Sequence, residues 1–201
     1  MIKNYIFDFG NVLARFYPNE RFLQTYPNAE EAKQILSVVF DRKNWDRLDD
    51  GTIEEEEVIA DIRNRLPGKA GEIACQLYER WIVDREAVPG MPELVRDIHA
   101  AGGKLYLCSN ICIRFAQEYN ENEWIGPLFS LFDGLVFSGP LHITKPGREI
   151  FTHLLETYGL DPSECIFIDD SEKNILGANA VGIPGYLFDG NVEKLRKFLE
   201  M

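Results

Sequence analysis

Asp8 closes the apolar run Tyr5-Ile6-Phe7, and the turn-forming pair Gly10-Asn11 follows almost at once. A run of this kind places its carboxylate at the carboxyl end of a buried strand, the edge where open α/β sheets bind ligands. A carboxylate there can attack phosphorus and form an aspartyl-phosphate. It can also ligate Mg²⁺, which prefers oxygen donors, or simply cap the turn. Three further pieces are read at strand ends: Ser109-Asn110, Lys145-Pro146 and Asp169-Asp170. Two adjacent acids repel each other unless a cation or hydrogen bonds neutralise them, and a cation shared with Asp8 would do so. Asn174, one turn into the next helix, can orient an acid or a metal-bound water, or face solvent. The Ser109 hydroxyl and the free backbone N–H groups around Asn110 can hold phosphate oxygens, or Ser109 can cap a helix. Pro146 suits a first helical position, which would set Lys145 at the helix entrance as a point cation aimed at the sheet rim. Acids, a cation and a hydroxyl converging on one rim suit a magnesium-bound phosphate. A Ser-His-Asp site has no such support: none of His99, His142 and His153 ends a matching strand, and no nucleophile-elbow sequence is present.

The elements that must position these groups are short apolar strands alternating with helical stretches. Strands are predicted at Lys3–Phe9, Lys104–Ser109, Gly134–Ser138, Cys165–Asp169 and Gly185–Phe188. Their near-continuous apolarity suits parallel strands covered on both faces. Helices are predicted at Ile113–Asn122, Gly147–Tyr158, Ser171–Val181 and Val192–Glu200. The alternation predicts a Rossmann-like three-layer α/β core with a parallel sheet. About 95 residues separate Asp8 from the second strand, far more than one crossover needs. That gap reads as helical at Glu20–Thr25, Ala29–Phe40, Thr52–Leu66 and Ala70–Trp81, with Thr52 and Glu55 as a capping box. The Val88-to-Pro92 segment then reads as a linker into helix Glu93–Ala101. The division expected is an α/β core of residues 1–15 and 89–201 with a small helical cap, 16–88, inserted after the first strand. A module rooted beside the site can cover a ligand and exclude water. Trp45, Arg47 and Tyr17 are candidate pocket residues of that cap, although aromatic residues in a small bundle are more often core.

A net charge of −12 with no basic patch argues against nucleic acid and anionic membrane partners. No window approaches the ~18 apolar residues of a membrane span, and the strand pattern at the start leaves no signal or transit peptide to expect. The cysteines Cys75, Cys108, Cys112 and Cys165 form no CxxC pair. Buried thiols in a reducing cytoplasm are expected rather than a zinc site. No coiled-coil pattern indicates an oligomeric state.

In chain order, the four pieces resemble the motifs of the haloacid dehalogenase-like hydrolase superfamily along nearly the whole length: Asp8 in FDFGNVL, Ser109 in LCSN, Lys145 in TKP, and Asp169-Asp170 in FIDDSEKN. The resemblance implies Asp8 as nucleophile, Ser109 as phosphate holder and Lys145 as charge balance. It also implies Mg²⁺ on Asp8, Asp170 and the Gly10 carbonyl, with Asp169 beside them. The helical insertion is similar to the family's small cap. One position departs from the pattern. Phosphatases of this family usually carry a second Asp two residues after the nucleophile, which protonates the leaving oxygen and later activates water. Gly10 stands there and can do neither. The DxGNV form and the IDDSEKNILGAN ending resemble a branch of sugar-1-phosphate phosphatases related to the phosphatase domain of soluble epoxide hydrolase. The expectation is a phosphatase for a small phosphorylated metabolite. Two alternatives stay open: a metal-independent 2-haloacid dehalogenase, which also lacks the second Asp, and a catalytically weak phospho-ligand-binding protein.

Overall fold

The computed structural model describes residues 2–15, 22–24 and 26–201. Five strands form one fully parallel sheet: β1 (Asn4–Phe7), β2 (Lys104–Ser109), β3 (Gly134–Phe137), β4 (Cys165–Asp169) and β5 (Gly185–Leu187), in the order β3-β2-β1-β4-β5. From the central β1 the chain builds outward through β2 and β3, then crosses to β4 and β5 on the other side. The switch point therefore falls between β1 and β4, where an open α/β sheet leaves a crevice at its carboxyl edge. Register pairs Phe7 with Ile168, so the next residues, Asp8 and Asp169, emerge side by side.

The strands alternate between two buried faces, as a period of two requires. Ile6, Tyr106, Cys108 and Phe167 join one apolar cluster with Ile150, Phe151 and Leu154 of a covering helix. Phe7, Leu105, Leu107, Ile166 and Ile168 join the other, with Met91, Leu94 and Leu195. The helices after the site strands are α1 (Ala29–Val39), α2 (Arg42–Asp49), α3 (Glu55–Arg65), α4 (Lys69–Arg80), α5 (Met91–Ala100), α6 (Ile113–Glu118), α7 (Ile125–Phe129), α8 (Ser138–Leu141), α9 (Arg148–Tyr158), α10 (Glu172–Asn179) and α11 (Val192–Phe198).

Between β1 and β2 the chain leaves and returns as neighbouring segments. Val88 N–H donates to Leu13 O (2.9 Å) and Arg15 N–H to Glu86 O (2.8 Å). Helices α1 to α4 lie between these points, and their apolar residues Ile35, Val39, Trp45 and Tyr78 belong to the same cluster as the Phe7 face of the sheet. Aromatic rings continue this seam: Phe9 lies 4.7 Å from Phe115, Trp81 lies 5.8 Å from Phe115 and 5.1 Å from Trp45. Such pairs add about 0.5–1.5 kcal/mol each beyond the area they bury.

Four local expectations change. The helix predicted from Thr52 begins at Glu55, and its N-cap, Glu54, makes no side-chain capping bond. Thr52 instead gives its backbone N–H and hydroxyl to Asp50 Oδ1. A local Asp turn competes with the capping box and wins. The helix predicted over Gly147–Tyr158, with Pro146 in its first turn, begins at Arg148; Pro146 lies instead in a turn closed by Gly147 N–H on Thr144 O (2.9 Å), after a cis Lys145–Pro146 peptide bond. The helix predicted to reach Asn122 is α-helical only to Glu118 and continues as a 3₁₀ turn over Tyr119–Glu121. Arg47 turns away from the crevice, donating to Thr52 O (3.2 Å). Of the helix predicted at Glu20–Thr25, residues 22–24 are helical; the rest of it, and Tyr17, lie outside the described residues.

Candidate active site

The carboxyl edge of the sheet carries the sequence motifs to one place. Asp8 follows β1 directly, its N–H held by Ile168 O (2.9 Å). Lys145 Nζ reaches both Asp8 Oδ1 and Asp169 Oδ2 at 2.7 Å. All three side chains are buried, and Lys145 also lies over the Phe167 ring at 5.2 Å. Burial alone would push the Lys145 ammonium pKa down, but the adjoining Asp8 and Asp169 charges outweigh it and hold it above the usual lysine range. Burial raises Asp8 to about 6 against the pull of Lys145, which leaves the carboxylate ionised above neutral pH.

Lys145 is itself held from behind. Its N–H donates to Asn110 Oδ1 (2.7 Å) and its carbonyl accepts from Asn110 Nδ2 (2.9 Å). The Asn110 side chain is thus committed to the Lys145 backbone, which leaves its main chain as the part that can face a phosphate. Ser109, buried at the end of β2, stands next to it. Helix α10 packs against the same turn through Gly177: a Cβ there would sit 2.4 Å from Pro146 O, so only glycine allows this approach.

Asp169 is saturated. Besides Lys145 it accepts from Ser171 N–H (2.8 Å) and from Asn174 Nδ2, 3.1 Å from each oxygen. Asn174 therefore orients an acid rather than facing solvent. Asp170 is exposed at the rim, with Oδ2 accepting from Asn11 Nδ2 (2.9 Å). Asn11 adopts a left-handed φ of 55°, a conformation asparagine tolerates better than most residues. One oxygen from each of Asp8, Asp169 and Asp170 lies within 4.8 Å of the others. An all-oxygen donor set of this kind suits Mg²⁺. Asp8 and Asp170 retain donor capacity, whereas Asp169 spends its own on protein hydrogen bonds. Gly10 follows at the turn, where a Cβ would meet nothing within 4 Å.

A cavity of about 120 Å³ opens from this edge toward α1, α2 and α4. Gly10, Ser109 and Asn110 form its floor; Phe40, Trp45 and Trp81 form apolar wall, with Arg42, Asp49 and Arg85 among its polar groups. Sequence reasoning singled out Trp45 but missed Asp49, Trp81 and Arg85. Their helices are separated in sequence from the motifs, and only packing brings them over the crevice. His142 makes a different contact: its Nδ1 lies 3.0 Å from Asp50 O, and it is not part of the cavity lining. The four cysteines are buried and free. No helix among the described residues is long and apolar enough to cross a membrane.

Comparison with known proteins agrees with the motifs. A sesquiterpene phosphatase of Aspergillus oryzae is 26% identical over 183 residues, covering 91% of this chain and 88% of that protein. A HAD family enzyme of Bacteroides thetaiotaomicron, solved in complex with magnesium and inorganic phosphate, is 25% identical with a TM-score of 0.66, covering 95% of this chain and 96% of that one. An L-2-haloacid dehalogenase of Xanthobacter autotrophicus shares the fold at 16% identity, with a TM-score of 0.66, covering 92% of this chain and 76% of that one. The haloacid dehalogenase-like hydrolase model matches residues 2–182, and with the four motifs gathered at one sheet edge, the chain belongs to that family.

Proposed function

We propose that the protein is a Mg²⁺-dependent phosphatase that hydrolyses a small phosphate monoester through an aspartyl-phosphate on Asp8. The observation that carries this reading is the arrangement of Asp8, Asp169 and Asp170 around Lys145. Asp8 Oδ attacks phosphorus and the bond to the leaving oxygen breaks; water then attacks the aspartyl-phosphate and frees Asp8. Lys145 and the Ser109–Asn110 segment bind the phosphate oxygens, and Lys145 offsets charge in a site shielded from water. Asp169 and Asn174 hold Lys145 and the metal-side carboxylates in place. Bound Mg²⁺, held by Asp8, Asp170 and the Gly10 carbonyl, would add the remaining positive charge that a dianionic phosphate needs.

The helical segment 16–88 acts as the cap on a core of residues 1–15 and 89–201, and its cavity receives the alcohol part of the ester. Aromatic walls with Arg42 and Asp49 suit a ring carrying both C–H faces and hydroxyls, which supports a sugar 1-phosphate as the substrate class. A 2-haloacid dehalogenase is the less favoured reading. Asp169 and Asp170 beside Asp8 would repel a carboxylate substrate, and that chemistry gives Asp170 nothing to do. A binding protein without turnover has no use for an ionised carboxylate poised against Lys145.

The test is a panel of small phosphate esters and haloacids, with and without Mg²⁺, on wild type and Asp8→Asn. The proposal expects phosphate release that requires Mg²⁺ and Asp8. Halide release without metal would establish the dehalogenase; phosphate-ester binding with no turnover would establish the binding protein.

A further inference from the structure

An aspartyl-phosphate mechanism needs a proton at the leaving oxygen, and Gly10 cannot give one. Among the described residues that line the cavity, Asp49 is the one carboxyl, and no histidine is present. Asp49 is the last residue of α2, and its position is tied to the phosphate-binding edge. Its carbonyl accepts from Ser138 Oγ, and the same hydroxyl accepts from Ile111 N–H (2.8 Å), two residues beyond Ser109. Its carboxyl makes no hydrogen bond or ion pair with another described residue. The nearby cation on its own helix, Arg42, is paired with Asp46 at 3.0 Å. The carboxyl is therefore free to meet a ligand in the cavity that also holds Gly10 and Ser109. Its surroundings keep a proton on it near neutral pH: burial pushes it up to about 7, Asp46 and Asp8 add to the rise, and Arg42 and Lys145 oppose it. Arg15 and Arg85 share the same cavity.

We propose that Asp49 is the general acid and base that Gly10 cannot be. This rests on the aspartyl-phosphate reading. As Asp8 Oδ bonds to phosphorus and the bond to the leaving oxygen breaks, the Asp49 carboxyl gives its proton to that oxygen. The Asp49 carboxylate then takes a proton from the water whose oxygen bonds to phosphorus, and the bond to Asp8 breaks, which restores both groups. The acid comes from the cap side of the crevice rather than from the nucleophile's own loop.

The experiment is a leaving-group series, from nitrophenyl to alkyl phosphates, on wild type, Asp49→Asn and Asp8→Asn. Loss of a general acid costs about 10²–10⁴-fold where the leaving group needs its proton. In kcat/KM, which reports the phosphorylation step alone, Asp49→Asn should lose about that factor on alkyl phosphates and far less on nitrophenyl phosphate, and so show a steeper dependence than wild type, while kcat should fall on every ester because the same carboxylate activates the water. An equal loss in kcat/KM across the series, or no loss, overturns the proposal. Wild type alone supplies a second readout should the variant fold poorly: its rate should depend only weakly on leaving-group pKa, and a steep dependence would overturn the proposal without any variant. Asp8→Asn should be inactive on every ester; activity there would remove the underlying mechanism, whereas an inactive Asp8→Asn beside an equal loss in Asp49→Asn removes only the role of Asp49.

Discussion

Lys145→Met isolates the charge arrangement on which the site depends. The methionine keeps much of the lysine's apolar length and deletes the ammonium that sits 2.7 Å from both Asp8 and Asp169. With the lysine side chain 1% exposed and those of Asp8 and Asp169 12% and 0% exposed, water cannot replace it. Removing one member of a buried ion network costs about 3–5 kcal/mol, because the charges left behind stay desolvated. At about 2–4 °C per kcal/mol for a chain of this size, the melting temperature should fall by about 6–20 °C. The fall should depend on pH in a defined direction. Asp8 titrates at about 6 even with Lys145 beside it. Without the cation its carboxyl holds a proton to still higher pH, so the deficit should be smaller near about pH 5 than near about pH 8. A second change, Asp8→Asn, should recover part of the loss in the Lys145→Met background and give a coupling energy of about 0.5–3 kcal/mol. Thermal unfolding by circular dichroism across pH reads all of this. A variant that melts within about 2 °C of wild type, or a deficit that does not shrink in acid, would refute the reasoning.

Asp170→Ala should abolish Mg²⁺ binding in calorimetry while leaving the melting temperature nearly unchanged, since Asp170 is exposed and its described side-chain partner is Asn11; unchanged binding would remove Asp170 from the metal site. Gly10→Asp should fold normally, because a Cβ there meets nothing within 4 Å and the backbone is outside the left-handed region, and it should restore turnover of alkyl phosphates to Asp49→Asn while changing wild type little, as measured by phosphate release. Gly177→Ala should destabilise by about 1–3 kcal/mol in chemical unfolding, as overpacking against Pro146 O predicts. Asp49→Asn should be more stable than wild type above about pH 7 and not in acid. A carboxyl raised to about 7 from its ordinary 3.8 stabilises the fold below 3.8, and that contribution is lost as pH rises through 7; matching pH–stability curves would contradict this.

The core was legible because each strand carries its own signal. Runs such as Cys165 to Ile168 are apolar, short and followed by a polar pair, and a buried parallel sheet admits few other patterns. Asp8, Ser109 and Asp169 were legible for the same reason: they occupy strand ends, and the fold brings strand ends together; Lys145, expected at a strand end as well, lies eight residues beyond β3 in the turn before α9. The cap was harder. Its helices appear in the periodicity, but α2 was hidden because Arg42–Asp49 is mostly charged, with Asn44, Trp45 and Leu48 as its buried positions. The contribution of Asp49 was invisible for that reason, since a residue at the end of an unrecognised helix has no predicted direction. The Thr52 and Pro146 errors share one cause: a local rule for helix starts cannot see a competing turn, whether built on Asp50 or on the Thr144–Gly147 hydrogen bond. Asn110 was placed near phosphate on its type and position, and only the folded chain shows its amide spent on Lys145.

The central claim is the covalent phosphoenzyme. Turnover of a phosphate ester with Mg²⁺ present, stopped in acid and followed by borohydride reduction and peptide mapping by mass spectrometry, reports which residue carried the phosphoryl group. The account predicts reduction to homoserine at position 8 and nowhere else. A modified Ser109, or an unmodified chain while phosphate is being released, would contradict it.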